Sequence, residues 1–259
     1  MEALRKRQWS GRLTAVAAVL CFGAVLAALA GAIGAGRDLW HFRVGFKILE
    51  YAIYAGAAGI LVAIAALFFA WRARPRLALL NLLAIVVAGL FLAFVGNQIR
   101  IARSVPAIHD ISTNLDDWPR FYRLTVRDDN LENVPDLGRP ELAAMEPRER
   151  WKAIHREHYG DIATIRVPWS VEETIARARA LAEERGWEIV TTDPEAGILE
   201  AVDTSLFFRF KDNVIVRVRP VTEGGGSVVD MRSISQVGVS DVGVNARRVR
   251  SFLSDLQRG

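Results

Sequence analysis

Three uninterrupted apolar runs fill most of the first hundred residues, and no other feature restricts the fold as severely. Leu13 to Gly36 contains no charged residue, and Ile48 to Ala70 and Leu77 to Gly96 follow with only Glu50 at an edge. About 20 such residues cross a hydrocarbon core, where only internally bonded backbone survives, so the runs predict three spanning helices at about 13–36, 48–70 and 77–98. The Ala28 to Gly31 stretch looks somewhat like a signal-cleavage site. The run is longer than a signal core and two more spans follow, so an uncleaved first helix is expected.

Charge separates the chain at the same place. Residues 1–103 carry 12 Lys and Arg against 3 Asp and Glu, a net +9, whereas residues 104–259 carry 21 against 26, a net −5. The cations therefore flank apolar runs while the polar part is acidic, which argues against nucleic acid as a partner. Arg5, Lys6, Arg7 and Arg12 precede the first run, and Arg72, Arg74 and Arg76 lie in the WRARPR link, seven cations against five on the other side. The positive-inside bias then puts the amino terminus and this link in the cytoplasm. Residues 104–259 are expected outside, which in a bacterial inner membrane is the periplasm.

Within the second span Ala52, Ala55, Gly56, Gly59 and Ala63 recur at helical spacing, a face that lets helices approach closely, more readily within one chain than between copies. Asn81 and Glu50 lie near span ends, where water or headgroups are expected to satisfy them. The single Cys21 excludes an internal disulfide framework and a thiolate metal cage, and the sequence implies no cofactor.

After residue 103 the pattern is that of a mixed domain. Asp110, Ser112 and Asn114 in IHDISTN suit a turn, and a loop to Pro140 is expected to wrap a core with Leu115, Trp118, Phe121 and Tyr122. Glu141 to His158 reads as a helix that Pro147 starts or kinks. Ser170 and Glu173 spell a capping box ahead of a helix closed by Gly186. The period then falls to two, giving strands at Trp187–Thr192, Ile198–Asp203, Leu206–Arg219 with a turn or bulge at Lys211–Asn213, and Ser227–Val237. A last helix at about Val244–Leu256 aligns Ala246, Val249, Phe252, Leu253 and Leu256. The fold class is thus α+β: three transmembrane helices, then a two-layer domain of antiparallel sheet packed with helices on one side and one face free to stay wet.

The stretch Asp230 to Arg250 holds the densest polar pattern. Arg232, Ser235, Asp241, Asn245 and Arg248, with Asp110 from upstream, are the candidate ligand-binding residues. Asp241, Asn245 and Arg248 suit an anion-binding corner at a helix start, but a helix cap bonded to Arg232 is the reading favoured. His109, His155 and His158 are the available bases for a hydroxyl nucleophile, yet no nucleophile motif accompanies them. In HREH, His155 and His158 are three apart on a helix without a fourth ligand, so no metal site is assigned.

From Ile108 to Leu256 the chain resembles the domain-of-unknown-function family 1499 of bacteria and plastids. IHDISTN, YGDI at Tyr159–Ile162, GWEIV at Gly186–Val190, FRFKDN at Phe208–Asn213 and RSISQVGVSDVGVNARRVR carry the likeness, the last most specifically. The resemblance implies membrane spans ahead of such a domain and supplies no catalytic residue. Three positions depart from the family pattern: Asn213 stands where Asp is usual, Gln236 where Arg is usual and Gly160 where Pro is usual. The joint loss of one acid and one base implies that these two positions pair in relatives. The function expected is a non-enzymatic binding or accessory module for an envelope component or membrane complex, with the bilayer as first partner and a membrane or envelope protein as second. An envelope hydrolase acting on lipid or cell-wall substrates is the alternative, and the oligomeric state stays open.

Overall fold

The computed structural model of the chain describes residues 2–71, 74–132, 134–222 and 224–259, with side chains in the first helix from Gln8 onward. Arg72 of the basic link and the side chains of Arg5, Lys6 and Arg7 lie outside the described residues. The chain divides into two compact units, residues 1–100 with 206–209 and residues 101–205 with 210–259.

The first unit contains α1 (Glu2–Gly36), α2 (Phe42–Ala70) and most of α3 (Pro75–Ser104). Three segments, Gln8–Gly36, Phe42–Ala70 and Pro75–Ser104, are long and apolar enough to cross a membrane, each holding an 18-residue stretch of mean hydropathy 2.5, 2.3 and 2.7 respectively. Each helix outlasts its apolar run because the polar ends remain good helix formers. The small-residue face of α2 packs within the chain: Ala52, Gly56, Gly59, Ala63 and Ala66 are buried. A Cβ at Gly59 would lie 2.7 Å from Cys21 Sγ, so only glycine permits this approach of α2 to α1. Asn81 corrects an expectation. It is fully buried, and its Nδ2 donates to Thr14 Oγ1 at 2.9 Å, joining α3 to α1 where neither water nor headgroups reach.

The second unit contains β1 (Asp110–Ser112), α4 (Pro140–Ala143), α5 (Pro147–Tyr159), β2 (Ile165–Val167), α6 (Val171–Glu184), β3 (Glu188–Asp193), β4 (Ile198–Thr204), β5 (Lys211–Pro220), β6 (Ser227–Ser235) and α7 (Val244–Arg258). Pro147 starts α5 rather than kinking a longer helix, as its missing N–H dictates. At the start of α6 Ser170 Oγ accepts from Glu173 N at 3.2 Å, but Glu173 turns its carboxylate to Arg177 instead of completing the box. The turn after β3 depends on Gly197, whose φ of 68° and whose closeness to Val218 O both exclude a side chain.

The strands form one antiparallel sheet in the order β1-β6-β5-β4-β3, with β2 following β1 along the same edge of β6. IHDISTN therefore supplies an edge strand where a turn was expected, and the turn comes after it, where Asn114 accepts from Asp116 N and Asp117 N and Ser112 Oγ donates to Asn114 O. The expected Leu206–Arg219 strand begins at Lys211. Ser205 N donates to Phe210 O at 2.8 Å and closes the preceding turn, where Arg209 takes a left-handed φ of 52°.

Alternation along the strands divides the sheet into two chemically different faces. Leu199, Ala201, Val214, Val216, Val229 and Met231 face α6 and α7, burying Ile175, Ala178, Ala182, Val249, Phe252 and Leu256 in one core. The opposite face is not wet, contrary to the expectation. Glu200, Ile215, Asp230, Arg232 and Ile234 are all buried there. Glu200 accepts from the amides of Tyr122, Arg123 and Leu124, the latter two at 3.1 and 2.9 Å, which ties the long loop over this face. Leu115 and Trp118 pack inward as expected, whereas Tyr122 is exposed and lends only its backbone. The free edge of β1 is closed by α5: Trp151 Nε1 donates to Asp110 O at 2.8 Å, and His155 Nε2 accepts from Ser112 N at 3.3 Å.

Candidate functional site

Because β6 alternates, the polar residues of Asp230–Arg250 do not converge. Ser233 and Ser235 face α7, while Arg232 lies on the loop-covered side. On the α7 side Asn245 is fully buried and makes four bonds. Its Oδ1 accepts from Ser233 Oγ at 2.6 Å and from Arg248 Nη1, and its Nδ2 donates to His109 O at 2.8 Å and Ser235 Oγ at 3.0 Å. Arg248, one helical turn on, donates through Nε and Nη2 to Asp203 at 2.9 and 2.6 Å and through Nη2 to Asp212 at 2.7 Å. Its remaining Nη1 also meets Ser233 Oγ at 2.9 Å. This network bonds α7 to β4, β5 and β6 with nearly every donor answered, as buried polar groups require.

Gly243 is the N-cap residue of α7, and Asp241, two residues ahead of it, supplies the carboxylate that bonds the helix start. That Asp241 carboxylate accepts from Gly243 N at 2.8 Å and Asn245 N at 2.6 Å, the amides an anion would otherwise use. Burial nevertheless pushes its pKa above the ordinary carboxylate value, with the two amides opposing. The bond expected between this cap and Arg232 does not form. Ser240 Oγ accepts from Val242 N at 3.2 Å and Arg247 Nη1 donates to Val242 O at 3.1 Å, holding Val242 at a φ of 56° that a β-branched side chain rarely takes.

On the other face Arg232 pairs with Asp110 through two bonds of 2.9 and 2.6 Å. Asn130 Nδ2 donates to the same carboxylate at 2.6 Å, and Asn130 Oδ1 meets His109 Nε2 at 3.2 Å. The Arg232 guanidinium also lies 4.6 Å from the Trp118 ring centroid. Next to it Asp230, fully buried, accepts from Arg217 and Arg219 at 2.8 Å each and from Thr113 and Thr164 hydroxyls at 3.2 and 2.5 Å.

His109 reaches Asn130 and Val239 O, His158 reaches Ile154 O, and among the described residues no imidazole bonds a seryl hydroxyl. Desolvation lowers the His155 pKa to about 4, partly offset by Asp110, so its ring stays neutral and accepts the Ser112 amide. The imidazoles of HREH thus have different tasks, and no group of three metal-ligating side chains occurs among the described residues.

Gln236 Nε2 donates to Asn213 Oδ1 at 2.7 Å, so in this chain an amide pair joins the two positions whose acid and base were expected to pair in relatives. Glu200, Asp203 and Asp212 were missed as site members, although Asp203 and Asp212 stand at the ends of paired strands in direct register. Two clefts flank the networks. One of about 420 Å³ is lined by Arg185, Trp187, Asp203, Val244, Arg247 and Arg248. The other, of about 440 Å³, lies on the opposite face by Trp118, Leu131, Pro147, Arg148 and Arg232.

No curated protein matches the chain. The model of the family described as "Protein of unknown function (DUF1499)" matches residues 110–256, from the Asp110 that holds Arg232 to the last core residue of α7. That match covers more than half of the 259 residues, and the chain belongs to this family.

Proposed function

We propose that the chain is a bacterial inner-membrane protein whose anchor carries a periplasmic domain, and that this domain is a non-enzymatic binding or accessory module for an envelope component or membrane complex. One observation carries the reading: the reactive-looking side chains of Asp230–Arg250 are bonded to one another, while open clefts lie beside them. A hydrolase needs a hydroxyl with a base at bonding distance. Ser235 Oγ instead accepts from Asn245, so the hydrolase alternative gains no support here. The inward-positive charge of the first helix and the basic link supports the orientation.

Native mass spectrometry of the full chain purified in mild detergent tests the binding role. A retained lipid or protein component is expected, and the bare protein overturns the proposal. Orientation is read separately with Cys21→Ser and Glu195→Cys, the latter on the exposed β3–β4 turn. An impermeant maleimide labels intact cells if the domain is periplasmic, and labelling only after permeabilisation overturns the placement.

A further inference from the structure

We infer that the cleft between α7 and the β3–β4 end of the sheet binds an anionic group, phosphate or carboxylate, carried by a molecule with an apolar portion. The inference rests on the binding-module reading and assigns its ligand chemistry. Two guanidiniums besides Arg248 line this one cleft. Arg247 is exposed, its one bond goes to Val242 O at 3.1 Å, and it has no carboxylate partner among the described residues. By contrast Arg217, Arg219, Arg232, Arg248 and Arg250 are each held by a carboxylate. Arg185 pairs with Asp255 through Nη2 at 2.5 Å, but its Nη1 is buried without an acceptor. An anion in the cleft would meet the open Arg247 guanidinium, with the positive charge of Arg185 in the same lining.

The remaining lining suits an amphiphile. Val244 is 38% exposed at the cleft, and behind it Trp187, 7% exposed, stacks on the buried Phe252 with centroids 5.1 Å apart and planes at 14°, so Val244 and the edge of Trp187 are the apolar part of the lining. Asp203 is the single carboxylate of the lining, and it is turned to Arg248, which bonds it twice and also holds Asp212. A volume of about 420 Å³ falls within the ordinary range of small-molecule pockets. The anion corner suggested by Asp241 and Asn245 is thus closed by their own bonds, and the site lies on the neighbouring flank of the same helix.

The test titrates the full chain in detergent with dihexanoyl phosphatidylglycerol, dihexanoyl phosphatidylcholine and inorganic phosphate, read by calorimetry. Saturable binding of phosphatidylglycerol but not phosphatidylcholine is expected, weakened at least about tenfold by Arg247→Gln and abolished by Val244→Glu at the mouth. Arg179→Gln, which removes an exposed guanidinium on α6, leaves affinity unchanged. Silence from inorganic phosphate assigns the site to a lipid headgroup and supports the inference, whereas phosphate binding as tightly as phosphatidylglycerol overturns the apolar portion of it. Failure of every anionic probe to bind, or equal affinity in Arg247→Gln with its melting temperature unchanged, overturns it. If Arg247→Gln still retains a component on purification, the cleft assignment falls and the module reading stands.

Discussion

Replacing Asp110 with Ala strips the buried Arg232 guanidinium of its partner. The two side chains are 1% and 6% exposed and joined at 2.9 and 2.6 Å, so solvent cannot take over the lost role. Removing one member of such a pair typically costs about 3–5 kcal/mol because the survivor stays buried and charged. Here Asn130 Nδ2 loses its 2.6 Å acceptor as well, while Arg232 keeps only Pro119 O at 3.3 Å and the Trp118 ring. The upper half of that range is therefore expected. At about 2–4 °C per kcal/mol for a domain of this size, the melting temperature falls by roughly 8–20 °C. Thermal unfolding of the full chain in detergent, followed by near-ultraviolet circular dichroism, measures it. Adding Arg232→Met removes the stranded charge, so the double variant recovers about 2 kcal/mol relative to Asp110→Ala. A loss below about 1 kcal/mol, or a double variant as unstable as the sum of its singles, refutes the reasoning.

Three further outcomes follow from the same geometry. His155 has a folded pKa of about 4 against 6.5 for the free side chain, so the unfolded chain takes up a proton that the folded chain refuses. Its contribution is complete above pH 6.5 and falls by about 3 kcal/mol toward pH 4; urea midpoints against pH show that slope, and His155→Gln flattens it. Asp241→Ala removes two cap bonds and lowers stability by about 1–2 kcal/mol in chemical denaturation. Asn213→Asp sets a carboxylate against Thr125 O, where Asn213 Nδ2 now donates at 3.0 Å, and costs about 1–3 kcal/mol; adding Gln236→Arg recovers part of it.

The sequence made legible what periodicity carries. Twenty-residue apolar runs mark helices long and apolar enough to cross a membrane, while the 3.6 spacing of Ile175, Ala178 and Ala182 and the alternation of Val214, Val216 and Val218 mark the face each element turns to the common core, and each element is present. The strand pairing across β3–β4 followed from its short turn. What escaped was coverage by side chain and loop. Glu200 sits in an alternating strand like any surface acid, and only the amides of Tyr122 to Leu124, some 76 residues away, make it an anchor. β1 and β2 are three residues each, too short for a period to show. The candidate residues were individually visible as polar groups near a helix start. Their division between two faces was not, because it depends on the register of β6 against β5 and β1.

The central claim is that the Asp230–Arg250 polar groups lock α7 to the sheet while binding belongs to the cleft beside them. Melting temperature and phosphatidylglycerol affinity measured together for Asn245→Ala and Arg247→Gln in the full chain test it most directly. Asn245→Ala deletes the four-bond hub, so its melting temperature drops steeply while the folded fraction keeps its affinity. Arg247→Gln keeps its melting temperature and loses affinity at least about tenfold. An Asn245→Ala variant that melts like the parent and no longer binds contradicts the account.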